Sequence, residues 1–310
     1  MKRCPNLLAV LAAALVLAAC GGSDSTTTSE PASGSTTAPA TTEAAPATSA
    51  AAPTTAANGL STACAKESLS LQSPGQLTVG TSDPAFPPYV EDNDPTSGKG
   101  FESALAYAIA EQLGFTKDEV KWAKVSFEQS FAPGPKKFDF DINQVSINAD
   151  REKTVSFSDP YYTAPQSIVV FNSSKLAGAT TLAELKDAKL GTQIGTSSLE
   201  AAKTVIAPTQ DVQVYNDTSA ATTALKNKQI DGLVVDLPTG LFLAAAELTD
   251  AKVLGQFAAP GGDDWGLVSA KDSTLTPCLN EALAALKASG SLDTITTEWM
   301  STSAGAPELK

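Results

Sequence analysis

The chain has 310 residues, a formal net charge of −13 and no histidine. Its length is enough for one large domain or two moderate ones. An acidic chain is a poor match for nucleic acid or for anionic lipid surfaces, since both attract clustered positive charge. The absence of histidine removes the commonest general base and the commonest transition-metal ligand, so we expect no metal and no cofactor, and an enzyme is disfavoured.

The N-terminal segment has the features of an export leader. Two positive charges precede an apolar stretch, residues 7–19, which is too short to cross a bilayer as a permanent helix. Small residues then lead into Cys20, and this arrangement resembles the lipobox of bacterial lipoproteins, in which the cysteine receives acyl chains such as palmitate. We therefore predict a lipoprotein signal peptide over residues 1–20 and anchoring through lipidated Cys20 at the outer face of the bacterial cytoplasmic membrane. An ordinary secretory leader cut near Ala19 is the alternative.

A low-complexity segment follows the leader. Residues 22–58 consist almost entirely of Ser, Thr, Ala, Pro and Glu, with no aromatic residue and no aliphatic residue larger than alanine. Such a stretch buries too little apolar surface to offset its ordering entropy, so we predict a disordered tether over residues 21–62. No later segment is expected to span a membrane.

From residue 77 onward, strand patterns alternate with amphipathic helix patterns, which indicates an α/β fold. The first series has predicted strands at 77–80, 120–125, 138–142 and 167–171 and a predicted helix at 100–114. The second has predicted strands at 190–194, 212–215, 232–236, 252–257 and 265–270 and helices beginning at or next to Thr181, Ser197, Ser219, Thr276 and Ser291. Thr276 is the predicted N-cap of its helix.

Two cysteines remain beyond the leader and its lipidation site. An even pair in an exported domain is most simply a disulfide, so we expect Cys64 to be bonded to Cys278. The bond would tie the start of the folded region to a late helix. Because it closes a long loop, it would stabilise the fold by about 3–5 kcal/mol.

Five motifs occur in order across residues 65–302. They read LTVGTSDPAFPPYV, GFESALAYAIAEQLG, SINADREKTVSFSDPYY, GTQIGTSSLE and IDGLVVDLP. Together they resemble the polar amino-acid family (family 3) of the ABC-transporter solute-binding proteins, of the glutamine- and glutamate-binding type. The resemblance implies the type II periplasmic-binding-protein fold, with two α/β lobes joined by two hinge strands. It implies a first lobe of residues 63–163 plus 262–310 and a second lobe of residues 164–261.

The resemblance also implies a group that holds the ligand's α-carboxylate. The only arginine beyond residue 3 is Arg151, whose planar fork of donors suits a carboxylate better than lysine does. Asn148 matches a polar position just before it. Thr196 and Ser197 lie between a strand and a helix, where backbone N–H groups can bind an anion. The alternative for this motif is a plain helix cap, with Ser197 and Glu200 forming a capping box.

The ligand's ammonium group is matched by acidic and polar residues. Asp236 follows a predicted buried strand, at the sheet edge where open α/β folds bind ligands. Its alternative role is the N-cap of the next helix. Asp83 is a second candidate acid, although its motif is one residue longer than is usual for the family. Ser146 and Gln144 match positions whose hydroxyl or carbonyl groups contact the ammonium.

Aromatic residues are expected to contact the ligand's side chain. The resemblance places Phe86, Tyr89 and Phe127 around it, with ordinary core packing as the alternative for Phe127. A Gly- and Pro-containing stretch, residues 130–141, is expected to form a rigid loop at the rim. We expect glutamine, glutamate, asparagine or aspartate as ligand. Basic ligands are expected to fit less well, because no further acid is evident near the predicted pocket; Glu102 and Asp92 are the residues that would contradict this expectation if they lay there.

The sequence therefore predicts a monomeric, non-enzymatic receptor that delivers a small polar amino acid to the membrane permease subunits of an ABC importer. An exported dehydratase-type enzyme on the same fold is one alternative, because cleft carboxylates can carry out acid–base chemistry. A ligand-sensing subunit that reports to a separate partner chain is the other.

Overall fold

The computed structural model describes residues 59–300 and 305–310. The predicted signal peptide, the lipidation site Cys20 and the predicted tether up to residue 58 lie outside these residues. The predicted end of the tether is wrong, because Leu60 is buried in the core and Ser61 donates two hydrogen bonds of 2.8 Å to the carboxylate of Glu281. Residues 59–62 therefore belong to the folded domain.

The described residues alternate strands and helices, as the sequence predicts. The strands are β1 Leu77–Thr81, β2 Val120–Lys124, β3 Phe140–Asp141, β4 Val155–Phe157, β5 Tyr162–Thr163, β6 Gln166–Phe171, β7 Leu190–Gln193, β8 Gln213–Tyr215, β9 Gly232–Asp236, β10 Ala251–Phe257, β11 Asp264–Trp265 and β12 Val268–Ala270. The helices are α1 Phe101–Gln112, α2 Phe127–Phe131, α3 Ser197–Ala201, α4 Thr218–Lys226, α5 Leu237–Phe242, α6 Thr276–Ala288 and α7 Ser291–Met300. None of the helices in the described ranges is long and apolar enough to cross a bilayer.

One five-stranded sheet organises the first lobe, in the order β2-β1-β3-β12-β4. Its central strands β1 and β3 are parallel, and β12 runs antiparallel to β3 and β4. The helices α1, α6 and α7 pack against one another, with Leu105, Ile109 and Leu279 fully buried. Cys64 and Cys278 form a disulfide in this lobe, as predicted.

A second five-stranded sheet, in the order β10-β6-β9-β7-β8, organises the second lobe. β6 is antiparallel to its neighbours β9 and β10, and β7 is parallel to β8 and β9. The β-branched and leucine residues of its strands β6 and β9 are buried on both faces, from Ile168 to Val170 and from Leu233 to Val235. Strands covered on both sides read as continuous apolar runs, which is why the sequence predicts them clearly.

The chain's last residues lie on the second lobe. The predicted range 262–310 would have placed them on the first lobe. Glu308 forms a β-bridge with Gln256, and the Leu309 N–H donates to the Gln256 carbonyl at 2.9 Å. Leu309 is buried in the core of the second lobe. The segment adds main-chain hydrogen bonds to the edge strand β10, which the preceding helices α6 and α7 give no reason to expect.

Two short strands connect the lobes. β5 lies between β4 and β6, β11 lies between β10 and β12, and the two pair antiparallel with Tyr162 opposite Trp265. Trp265 is fully buried. The predicted strand over 265–270 is therefore broken, because its first residues pair with β5 and its last residues join the first sheet.

Two further local predictions need correction. The predicted N-cap Thr276 is already helical in α6, and its hydroxyl pairs with that of Ser269 at 2.7 Å. The short helix α2 was not predicted from the sequence, and the Gly- and Pro-containing loop begins only after it, at Ala132.

Candidate functional site

A cavity of about 390 Å³ lies between the two lobes. It is lined by the carboxyl ends of β1, β7 and β9, which is the edge of an open α/β sheet where ligands bind. The predicted site residues that line it are Phe86, Tyr89, Phe127, Gln144, Asp83, Thr196, Ser197 and Asp236. The predicted residues that lie outside its lining are Ser146, Asn148 and Arg151.

Arg151 lies behind the cavity wall and bridges the two lobes. Its side chain donates to the carbonyl of Ser146 in the first lobe and, at 2.8 Å, to the carbonyl of Gly195 in the second. The guanidinium carbon lies 4.4 Å from the ring centroid of Phe131 and 5.4 Å from that of Phe127. Burial lowers the pKa of Arg151 to about 10, so the group stays protonated at neutral pH. It is a fixed positive charge at the closed edge of the cleft.

Asn148 holds the turn that carries this arginine. Its side-chain oxygen accepts from the Arg151 N–H at 2.9 Å and from the Asp150 N–H at 3.1 Å. The residue is exposed on the outside of the turn. The structure thus gives Asn148 a structural role in positioning Arg151 and brings none of its atoms to the cavity wall.

The loop before α3 faces the first lobe through its hydroxyl groups. Thr196 caps α3, since its Oγ1 accepts from the Leu199 N–H at 3.2 Å, so the alternative of a capping box between Ser197 and Glu200 is wrong. The Ser197 hydroxyl is therefore available for contacts across the cleft. It donates to Asp263 at 3.1 Å and accepts from Ser146 at 3.2 Å.

Asp236 occupies the N-cap position of α5, but its side chain caps nothing. Its carboxyl group instead accepts from Nε2 of Gln166 at 2.6 Å, and the same amide group also donates to Asp263. Burial, together with the nearby charge of Asp263, raises the pKa of Asp236 well above its usual range. The competing explanation of this residue as a helix cap is therefore wrong.

Sequence reasoning missed Asp263 and Gln166. Asp263 is 2% exposed, and Gln166 is fully buried at the position opposite Asp236 in the β6–β9 ladder. The signal for Asp263 was the paired acids that precede Trp265 in GGDDWG. Their position at the start of a hinge strand turns one side chain toward the cleft, which the sequence alone does not indicate.

The two remaining polar candidates already have partners. Asp83 forms an ion pair with Lys124 at 2.6 Å and accepts from Asn93 at 3.0 Å, and these contacts lower its pKa. Gln144 has a positive φ of 49°, and both its N–H and its side-chain amide donate to the buried carboxylate of Glu102. Glu102 therefore fixes Gln144 in a strained conformation, with the residue at the cavity wall.

The aromatic candidates form part of the contact between the lobes. Phe86 stacks on Phe242 of α5, with ring centroids 6.3 Å apart, and the Tyr89 hydroxyl pairs with that of Thr239 at 2.9 Å. Phe127 lines the cavity and packs edge-on against Phe131. Sequence reasoning did not single out Phe242, because nothing in the predicted helix α5 distinguished it from a core residue.

The charge on the cavity wall is negative. Four carboxylates line the cavity and no lysine or arginine does, the acids being Asp83, Glu128, Asp217 and Asp236. Within the described ranges, no group of three or more Cys, Asp or Glu side chains is arranged to hold a metal ion. The cavity therefore suits a ligand that carries at least one positive charge.

Comparisons with known proteins agree with this geometry. The family model described as "Bacterial extracellular solute-binding proteins, family 3" matches residues 77–302. The chain is 27% identical to the arginine-binding extracellular protein ArtP of Bacillus subtilis (strain 168), over 77% of this chain and 91% of that protein. It is 28% identical to the glutamine-binding protein GlnH of the same organism, over 67% of this chain and 75% of that protein.

Solved structures show the same similarity. An ancestral arginine-binding protein bound to glutamine superimposes with a TM-score of 0.63 at 31% identity, over 74% of this chain and 99% of that one. An ancestral amino acid-binding protein that is a precursor of cyclohexadienyl dehydratase gives a TM-score of 0.60 at 27% identity, over 73% and 95% of the two chains.

Proposed function

We propose that this chain, which belongs to family 3 of the bacterial extracellular solute-binding proteins, is the receptor of an ABC importer for a neutral polar or cationic amino acid. It binds the amino acid between its lobes and presents it to the permease subunits in the membrane. It acts as a monomer without catalysing a reaction, and the lipid at Cys20 keeps it at the outer face of the cytoplasmic membrane.

The observation that carries the proposal is a pair of opposite charges beside one cavity. Asp236 of the second lobe lines the cavity, and Arg151 of the first lobe lies behind its wall, where it interacts with Asp236. The hydroxyl groups of Ser146 and Ser197 pair across the cleft. An amino-acid zwitterion has the complementary pair of charges. Burying either of its charges alone is costly, and pairing both at once offsets the loss of hydration.

Arg151 retains donors for the ligand's carboxylate. Two of its five guanidinium N–H donors have acceptors among the described residues, namely the carbonyls of Ser146 and Gly195. The remaining guanidinium donors and the backbone N–H groups of Ser197 and Ser198, the first two residues of α3, form the anion-binding side of the site. Asp236 forms the cation-binding side.

The cavity charges refine the expected class of ligand. Glu128 and Asp217 line the cavity and are neither paired with Lys124, as Asp83 is, nor assigned to the ammonium group, so they would repel an acidic side chain. Glutamate and aspartate therefore drop out of the expected set, whereas glutamine and asparagine remain. Glu128 and Asp217 supply acids that sequence reasoning did not consider, so cationic side chains fit as well.

Hinge closure explains how such a site captures its ligand. The lobes are connected through β5 and β11, and the site draws residues from both sides of the cleft. A ligand that contacts both lobes stabilises the closed arrangement by its differential affinity for it. Release to a permease would require the lobes to separate again.

The test is calorimetric titration of the protein, freed of carried-over ligand by refolding, with each of the twenty standard amino acids. We expect tight binding of one or a few neutral polar or cationic amino acids. Arg151→Met should weaken that binding by about 30-fold or more, because the ligand's carboxylate is left without its charged partner.

Lys153→Met is the matched control, since Lys153 lies two residues away and is exposed in an ion pair with Asp150. It should leave the affinity unchanged. Absence of binding by every amino acid, or equal binding by wild type and Arg151→Met, would contradict the proposed function.

A further inference from the structure

Asp263 places a second carboxyl group beside Asp236. Asp263 directly precedes β11 and is almost completely buried, whereas Asp236 ends β9 and lines the cavity. Nε2 of Gln166 donates to both carboxyl groups, which places the two acids side by side, and burial together with their interaction raises the pKa of Asp236. Two adjacent buried carboxylates do not both ionise without a large cost, so the pair holds one proton.

Among the described residues, one cation faces the two acids. Arg151 is the positive charge that interacts with both acids. Tyr89 and Tyr162 face Asp236 as neutral phenols, since burial raises the pKa of each hydroxyl. The cluster of Arg151 and a singly protonated acid pair is therefore electrically neutral.

Two atoms of the cluster are buried without a partner among the described residues. They are Oδ1 of Asp263 and Oε1 of Gln166. Oδ2 of Asp263, which accepts from Gln166, also accepts from the hydroxyl of Ser197, and that hydroxyl accepts from Ser146. Asp263 therefore lies next to the groups that would bind the ligand's carboxylate, whereas Asp236 faces the cavity.

We propose that an arriving amino acid moves the shared proton from Asp236 to Asp263, so that Asp263 carries the proton while Asp236 accepts the ligand's ammonium group. This inference rests on the proposed function. The O–H bond at Asp236 breaks and an O–H bond at Asp263 forms, between the two carboxyl groups that Gln166 bridges. The electron pairs stay on their oxygen atoms, and no proton is exchanged with solvent.

The zwitterion acts on the two acids in opposite directions. Its ammonium group stabilises the ionised form of Asp236. Its carboxylate pairs with Arg151 and Ser197, which are the groups that otherwise stabilise negative charge on Asp263. The zwitterion adds no net charge, so the cluster stays neutral only if the pair keeps its proton. Asp263 is therefore a positioning residue that sets the charge state of Asp236.

The inference predicts different effects for two similar substitutions. Asparagine at residue 263 resembles the protonated acid, so Asp263→Asn should bind the amino acid within about threefold of wild type. Asp236→Asn should lose about 30-fold or more, because no anion remains to meet the ammonium group. Asp264→Asn is the matched control, since Asp264 is the adjacent acid and contacts Thr163 instead of Asp236.

Carbon-13 NMR of aspartate carboxyl groups provides a direct measurement, with the two signals assigned by comparison with Asp263→Asn and Asp236→Asn. We expect the protonated-carboxyl signal at Asp236 before the amino acid is added and at Asp263 afterwards. Calorimetry in two buffers of different ionisation enthalpy should show no net proton release near neutral pH.

Three results would overturn the inference while leaving the proposed function intact: two ionised carboxyls in the free protein, a proton that stays on Asp236 in the complex, or release of the proton to the buffer. If no amino acid binds at all, the proposed function fails first and the inference fails with it.

Discussion

The two lobes bury different kinds of polar group, and different long-range links stabilise them. The first lobe buries charged side chains, including Glu102, Asp141 and Arg151, and is closed by the disulfide between Cys64 and Cys278. The buried polar residues of the second lobe's sheet and helices are uncharged hydroxyl and amide side chains. Its edge strand β10 is covered by residues 305–310.

Because of this difference, we expect the two lobes to respond to different conditions. Redox state acts on the disulfide of the first lobe, and pH acts on the fully buried carboxyl groups of that lobe as well as on Asp236 of the second lobe. The second lobe depends on apolar packing and on main-chain hydrogen bonds to the end of the chain. Arg151 therefore belongs to the lobe that contains the disulfide. The second lobe contributes Asp236 and small hydroxyl groups to the site.

Replacing both Cys64 and Cys278 with alanine should change the relative stability of the two lobes the most. We expect it to lower the free energy of unfolding of the first lobe by about 3–5 kcal/mol, because the unfolded chain loses a long-range constraint. Hydrogen exchange measured lobe by lobe checks this, and protection of the second lobe should change little. Equal loss of protection in both lobes would show that they unfold as one unit.

Glu102 should make the first lobe sensitive to pH. Burial raises its pKa from 4.5 to about 7, so the folded protein holds this proton more tightly than the unfolded chain does. The resulting stabilisation is fully present below about pH 4.5 and is lost as the pH rises through about 7. It amounts to about 3 kcal/mol.

Urea unfolding of wild type and Glu102→Gln between pH 4.5 and 7.5 measures this contribution. We expect the difference in unfolding free energy between the two proteins to change steadily over that range. Glu111→Gln serves as control, because Glu111 lies on the same helix α1 and is exposed. A constant difference between wild type and Glu102→Gln would disprove the pH effect.

Leu309→Ala should cause the smallest of these effects and act on the second lobe. Leu309 is buried and lies against Gly255, where a side chain on residue 255 would clash with it. Its truncation should cost about 2–3 kcal/mol by leaving a cavity beside β10. Glu308→Ala, at the exposed neighbouring residue, should cost little. Hydrogen exchange in β10 distinguishes the two, and unchanged protection in Leu309→Ala would mean that the end of the chain does not stabilise this lobe.

Local patterns account for much of what was predicted. Leu77 to Thr81 and Gly232 to Asp236 are short apolar runs next to helix signals, so their strands follow from burial on both faces. The pairing of Cys64 with Cys278 followed from the small number of cysteines. Arg151 stood out because arginine is so scarce in the chain.

Other features depended on contacts between segments that are far apart in the sequence. The partner of Asp236 is Asp263, which a hinge strand brings alongside it, and Gln166 joins the two only because β6 pairs with β9. The sequence predicts a ligand contact for Asn148, but in the structure its side-chain oxygen caps the turn at Arg151. Leu309 joins the second lobe because its backbone pairs with Gln256.

The sequence by itself determined the α/β alternation, the cysteine pair and the residue types that we propose to recognise an amino acid, because these depend on periodicity, composition and short motifs. The tertiary structure decided which acids share a proton, which side chains line the cavity and where the last residues pack. Those features depend on the distances between side chains and on burial, which are set only when the two sheets and the hinge strands come together.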